Sequence, residues 1–178
     1  MSKQLGSKTK KNLEEALAGE SMARNKYDWF ASQAKKDGYV QMQNIFMEIA
    51  LNEKEHAKLW AKALGLIGNT AKNLKAAAEG EHYEHSDMYM RMAKEAKEEG
   101  HGTIAKSFLM VAEVEKAHEA RYRKLLENIK KEKVFKREEV KEWKCANCGY
   151  IRKGKEAPEI CPACQHPQAH FEIFCESY

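Results

Sequence analysis

From Thr9 to Lys131 the chain contains no proline, and its three prolines, Pro158, Pro162 and Pro167, all lie near the C-terminal end. A proline inside a helix removes a backbone hydrogen bond and costs about 3 kcal/mol, so this long segment is free to be helical throughout. The residues that fill it are mostly Ala, Leu, Met, Glu and Lys, all strong helix formers. Apolar side chains recur at three- and four-residue steps, as in Phe46, Ile49, Ala50 and again in Phe108, Val111, Ala112, which is the stripe of an amphipathic helix. Three breaks interrupt the pattern: Lys36-Asp37-Gly38, the Gly65–Thr70 stretch, and Gly100-His101-Gly102. Four long helices are predicted, over 9–36, 39–64, 71–99 and 103–131. The first and last joints are short and favour antiparallel neighbours. The middle joint, about six residues, is brief for a crossover unless the residues beside it unwind.

The helical segment repeats itself. An offset of 61 places Leu13 on Leu74, Ala16 on Ala77, Gly19 on Gly80 and Glu20 on Glu81. An offset of 62 places Phe46 on Phe108, Ala50 on Ala112, Glu53 on Glu115 and His56 on His118. Two helical hairpins related by a pseudo-twofold produce such a pattern, and the expected fold is an all-α four-helix bundle. Residues three apart share one face of a helix, so Glu53 with His56 and Glu115 with His118 can both point inward. Glu20 and Glu81 add a carboxylate each from helices one and three.

One Glu-x-x-His pair alone is usually surface decoration. Two in register, each with its upstream glutamate, bring four carboxylates and two imidazoles into one interior, where without metal they would form a costly unpaired charge cluster. This is the pattern of a di-iron or di-manganese carboxylate centre. Anionic bridges offset the repulsion between two close cations, and Glu53 and Glu115 are the natural bridges, with imidazole capping each metal. Helix three carries an additional carboxylate, Glu84, one turn beyond Glu81, where helix one has Ala23. Glu84 could therefore compete with His56 for one metal as the charge of that metal changes. Tyr27 and Tyr89 lie seven and eight residues after Glu20 and Glu81, spacings that suit either the metals or the core. His82 and His85 are read as facing outward or as supporting the ligands.

All five cysteines fall within 145–175, four of them in two Cys-x-x-Cys pairs, Cys145/Cys148 and Cys161/Cys164. That arrangement indicates one tetrahedral metal, zinc or iron by spacing alone. Cys175 has no partner and is read as a free thiol. A charged connector, ending about Glu142, is expected to lead into a module too small to fold without metal, with Trp143, Tyr150, Phe171 and Phe174 as its aromatic core. The net charge of +4 is mild, and Lys and Arg are interleaved with Glu, so neither nucleic acid nor a membrane is an expected partner. A polar, basic N-terminal stretch with no apolar run behind it points to the cytoplasm.

The motifs AGESMARNKYDWFA, NEKEH, EGEHYEH and VEKAH, followed by CANCGY and CPACQHP, together resemble the rubrerythrins. The resemblance covers nearly the whole chain. It implies a ferritin-like di-iron four-helix bundle over 1–136 and a rubredoxin-like Fe(Cys)4 domain over 137–178. It also implies an enzyme that reduces hydrogen peroxide to water in oxidative-stress defence. In that family's terms Glu53 and Glu115 bridge the irons and Glu20 holds one of them, with Glu84 and His56 alternating there. Glu81 and His118 hold the other iron, and Tyr27 and Tyr89 line the site. The resemblance favours iron over zinc on Cys145, Cys148, Cys161 and Cys164. Its implied donors are a rubredoxin and a nicotinamide-dependent reductase, and its implied assembly is a homodimer or tetramer. Gln165 departs from the glycine expected after the last cysteine, at a turn where a side chain costs about 1 kcal/mol. The competing readings are a ferroxidase or storage bundle and a zinc-bearing interaction module.

Overall fold

A computed structural model of the protein describes residues 5–176, and the chain divides into two compact units at Asn69/Thr70. The first unit is a hairpin of α1 (Ser7–Lys36) packed against α2 (Val40–Ala63). The second contains α3 (Thr70–Tyr83), α4 (Tyr89–Glu98) and α5 (Gly102–Lys130), with α3 and α4 both packed on α5. In each helical pair the buried residues are alanines: Ala31, Ala34, Ala50 and Ala57 in the first, Ala78, Ala93, Ala96, Ala105 and Ala112 in the second. Small side chains let the backbones approach closely, and three of these alanines recur at an offset of 62.

The predicted breaks are helix stops of one kind. Gly38 (φ 84°), Gly65 (φ 70°) and Gly100 (φ 85°) adopt the left-handed conformation. After Gly38, the Tyr39 N–H reaches back to the Ala34 carbonyl at 2.8 Å, and the His101 N–H does the same to Ala96 after Gly100. Such a closure satisfies carbonyls that a helix end would otherwise leave bare.

The third predicted helix, 71–99, is not continuous. A π-helical turn over Glu84–Met88 separates α3 from α4. A π turn accommodates one extra residue, and one extra residue is what shifts the repeat offset from 61 at Glu20/Glu81 to 62 at Tyr27/Tyr89.

Beyond α5 lies a three-stranded antiparallel sheet of order β2-β1-β3, with β1 Lys136–Cys145, β2 Ile151–Glu156 and β3 Phe171–Ile173. The expected connector is mostly strand: β1 begins at Lys136, and Trp143 pairs with both Arg152 and Ile173. Its first half, Lys136 to Val140, carries consecutive charges and is largely exposed, and only the end around Trp143 and Cys145 is buried, so composition alone resembles a linker. The core of this sheet is Trp143, Cys145, Ala157, Cys161 and Phe171, with Phe135, Tyr150 and Cys164 packed against it. Trp143 is fully buried and donates from Nε1 to the Gly154 carbonyl at 3.0 Å. Phe174 does not join the core. It falls one residue past β3, under the ammonium of Lys144, while Phe135 from the supposed connector takes an inner place.

Candidate metal centres

The first hairpin gathers Glu20 from α1 with Glu53 and His56 from α2. His56 Nδ1 lies 2.8 Å from a Glu53 oxygen and 3.9 Å from one of Glu20. The second unit repeats this with Glu81 from α3 and Glu115 and His118 from α5: His118 Nδ1 lies 2.7 Å from Glu115 and 3.8 Å from Glu81. In each triad the three donor atoms lie within 4.8 Å of one another.

Charge is crowded in both. A hydrogen bond to Glu53 pushes the Glu20 carboxyl above its ordinary pKa, helped by burial and the Glu53 charge. Burial raises Glu81 first, followed by its hydrogen bond to Glu115 and the charges of Glu115 and Glu84. Carboxyls whose pKa is raised by burial and by a facing carboxylate are groups whose crowding a cation would relieve. Two oxygen donors and one imidazole per triad suit divalent iron or manganese, so the residues of each triad fit one such ion.

The two tyrosines keep the repeat. The Tyr27 ring stands 6.2 Å from Phe46 at 32°, and the Tyr89 ring 5.9 Å from Phe108 at 33°. Burial raises the Tyr89 hydroxyl pKa, and the charges of Glu84, Glu115 and Glu81 add to it. Tyr89 and Glu84 therefore share the electrostatic neighbourhood of the second triad. His82 and His85 do not enter either triad; both approach Glu119, the residue after His118.

In the tail, Cys145 Sγ is 3.7 Å from Cys164 Sγ, and Cys148 Sγ is 3.7 Å from Cys161 Sγ. These are not disulfides, whose sulfurs lie about 2.05 Å apart. Four thiolates bonded at about 2.3 Å around a tetrahedral ion would be separated by about 3.8 Å, so the cage has the dimensions of a metal site. Its two loops match. The Gly149 N–H donates to the Cys145 carbonyl and the Gln165 N–H to that of Cys161, at 2.8 and 2.9 Å. Gly149 (φ 80°) and Gln165 (φ 60°) are both left-handed, so the predicted non-glycine turn at Gln165 is present. The backbone N–H of His166 lowers Cys164 to about 6, aided by neighbouring cysteines against the effect of burial. The Tyr150 N–H acts the same way on Cys148, but the nearby sulfurs and burial outweigh it and push that thiol up to about 12. Cys175 is exposed and outside the cage.

Two family models match the chain: "Rubrerythrin" over residues 11–126, and "Rubrerythrin, rubredoxin-like domain" over 143–172. The chain belongs to the rubrerythrin family. It is 51% identical to Rubrerythrin-1 of Clostridium acetobutylicum, over 97% of either chain. It is 48% identical to the rubrerythrin of Nitratidesulfovibrio vulgaris, over 94% of this chain and 95% of that one. A solved structure, "Partially Reduced State of Nigerythrin", aligns at 32% identity over 97% of this chain and 89% of that one, with a TM-score of 0.37. By the two family models, the fold class is a ferritin-like helical domain followed by a small rubredoxin-like domain. The chain is an iron protein with a Glu/His di-iron ligand set and a four-cysteine site, and its family is one of peroxidase-type oxidoreductases. No described helix is long and apolar enough to cross a membrane.

Proposed function

We propose that this rubrerythrin-family protein reduces hydrogen peroxide to water at two irons. The ligands are Glu20, Glu53, His56, Glu81, Glu84, Glu115 and His118. Electrons enter through an iron held by Cys145, Cys148, Cys161 and Cys164. The observation that carries this reading is the presence, in one chain, of two matched Glu–Glu–His triads and a four-thiolate cage. The reaction consumes one peroxide, two electrons and two protons and yields two waters. Bound iron supplies a two-electron reservoir in the helical domain and a one-electron centre in the tail.

The chain's own residues do the rest. Glu53 and Glu115 would serve both metals as the shared carboxylates, with the imidazoles of His56 and His118, now 2.8 and 2.7 Å from them, as the nitrogen ligands. Glu20 and Glu81 would each hold one metal, whose positive charge would offset the carboxylate crowding and burial that raise their pKa. Glu84 offers a replacement carboxylate for His56 as the charge at that position changes. Burial and three nearby carboxylates favour the neutral phenol of Tyr89, so its Oη would be a hydrogen-bond donor for the peroxide substrate. Tyr27 takes the corresponding place in the first hairpin.

The helical domain spans 1–136 and the thiolate domain 137–178 in this reading, a boundary supported by the start of β1 at Lys136. The electron donor is a rubredoxin, itself reduced by a nicotinamide-dependent reductase, and the setting is oxidative-stress defence in the cytoplasm. The working form is a homodimer or tetramer.

The test is peroxide-dependent NADH oxidation by the iron-loaded protein with rubredoxin and its reductase. Glu53→Ala and Glu115→Ala should each abolish turnover while the ferric-thiolate colour of the tail survives. Full turnover by either variant would refute the reading.

A further inference from the structure

The second helical unit holds a cluster that the paired triads do not use. Glu119 on α5 is a carboxylate only 12% exposed, and two imidazoles converge on one of its oxygens. His85 Nε2 donates to Oε2 at 2.6 Å and His82 Nδ1 donates to the same atom at 3.1 Å. The other oxygen, Oε1, accepts from Arg123 Nε at 2.6 Å. The two rings meet edge to face with centroids 5.3 Å apart, which turns their nitrogens toward a common point. All three donor atoms lie within 4.8 Å of one another.

The internal repeat serves as a control for what hairpin packing requires. The position equivalent to Glu119 in the first hairpin is Ala57, only 9% exposed, and the position equivalent to Arg123 is Ala61. His82 corresponds to Ser21, which merely bonds the Leu17 carbonyl of its own helix. The helix pair thus closes on alanine in one half and carries a half-dry carboxylate with two imidazoles in the other. Packing does not call for this cluster.

We propose that His82, His85 and Glu119 form an additional divalent-cation site of the zinc class, separate from the Glu–Glu–His triads. Two imidazoles and one carboxylate with a fourth position open to water is a donor set that zinc accepts. Adjacent donors around tetrahedral zinc stand about 3.4 Å apart for bonds of about 2.1 Å. The separations of 2.6 and 3.1 Å therefore need to open only slightly. His82, 57% exposed, can supply much of that movement and gives the ion a path from solvent. Arg123 fixes the carboxylate from behind, as supporting hydrogen bonds do for metal-bound carboxylates.

The experiment uses the full chain with its iron sites filled, titrated with zinc chloride by calorimetry while iron retention is measured. Crystals soaked in zinc are then examined for anomalous scattering at the zinc edge. One further equivalent of zinc per chain should bind without loss of iron, with an anomalous peak among His82, His85 and Glu119. His82→Ala, an exposed change that leaves the fold intact, should weaken that binding at least tenfold, and Glu119→Gln should do the same. Zinc uptake only by displacement of iron, a peak only elsewhere, or equal binding by His82→Ala would overturn the proposal.

Discussion

Truncating Phe171 to alanine should loosen the tail's grip on its metal far more than its distance from any sulfur lone pair suggests. The ring is 5% exposed and wedged among Trp143, Cys145, Ala157 and Cys161. Those neighbours are pinned: Cys145 pairs with Phe171 across the sheet, and Trp143 is tied to Gly154. Little collapse into the vacated volume is open to them, so the usual cost for a buried phenylalanine, about 3–5 kcal/mol, applies. So small a module lacks the apolar core to fold by itself, and metal binding and folding become one equilibrium. The whole cost then appears as lost metal affinity, about a hundred- to a few-thousand-fold at 1.4 kcal/mol per factor of ten. The assay is chelator competition on the cobalt-loaded full chain. It follows the thiolate-to-cobalt charge-transfer band, which the carboxylate and imidazole ligands of the helices do not produce. A chelator midpoint shifted less than about threefold would mean that the cage is preformed without metal, and the reasoning would be wrong.

Other outcomes follow from the same structure. Gln165→Gly removes a side chain from a left-handed turn at φ 60° and should raise the tail's resistance to chelation slightly, by at most about 1 kcal/mol; a loss of resistance would contradict the strain assigned there. Cys148→Ser should slow reduction by external rubredoxin while two irons per chain still load the helical domain, as iron analysis would show; loss of both sites together would mean that the domains are not separate folding units. In the metal-free protein, the raised pKa of Glu81 contributes stability that is present below the ordinary value of 4.5 and lost as pH rises through the folded value. Glu81→Gln should therefore raise the thermal midpoint at neutral pH and make little difference in acid. Glu119, held down to about 2 first by its bond to His85 and then by Arg123 and His82, has the opposite sign. Its contribution is present above 4.5 and disappears as pH falls toward 2, so Glu119→Gln should flatten the acid limb of the melting curve.

Much of this was legible because helices write their partners into spacing. The shared offset of Glu53/Glu115 and His56/His118 marks these four residues as a matched set, expected with Glu20 and Glu81 in one interior; the structure gathers them as two triads, one in each helical unit. The one-residue slip between Glu20/Glu81 and Tyr27/Tyr89 is the trace of the π turn at Glu84–Met88, a local widening that a continuous helical pattern over 71–99 does not announce. Glycine marked the helix stops because those closures need a left-handed residue. Two things were hidden for physical reasons. β1 is amphipathic only at its Trp143 end, so its lysine- and glutamate-rich start imitated a linker. The bonds from His82 and His85 to Glu119 join residues more than thirty positions apart, a pairing that no local motif announces.

The central claim, two irons acting together on one peroxide, is tested most directly by anaerobic titration of the fully ferrous protein with hydrogen peroxide while both iron centres are followed spectroscopically. The account predicts that each peroxide oxidises two helical-domain irons with no free radical trapped, and that Glu53→Ala and Glu115→Ala lose this reaction. One iron oxidised per peroxide with radical release, or an unchanged two-to-one stoichiometry in both variants, would contradict it.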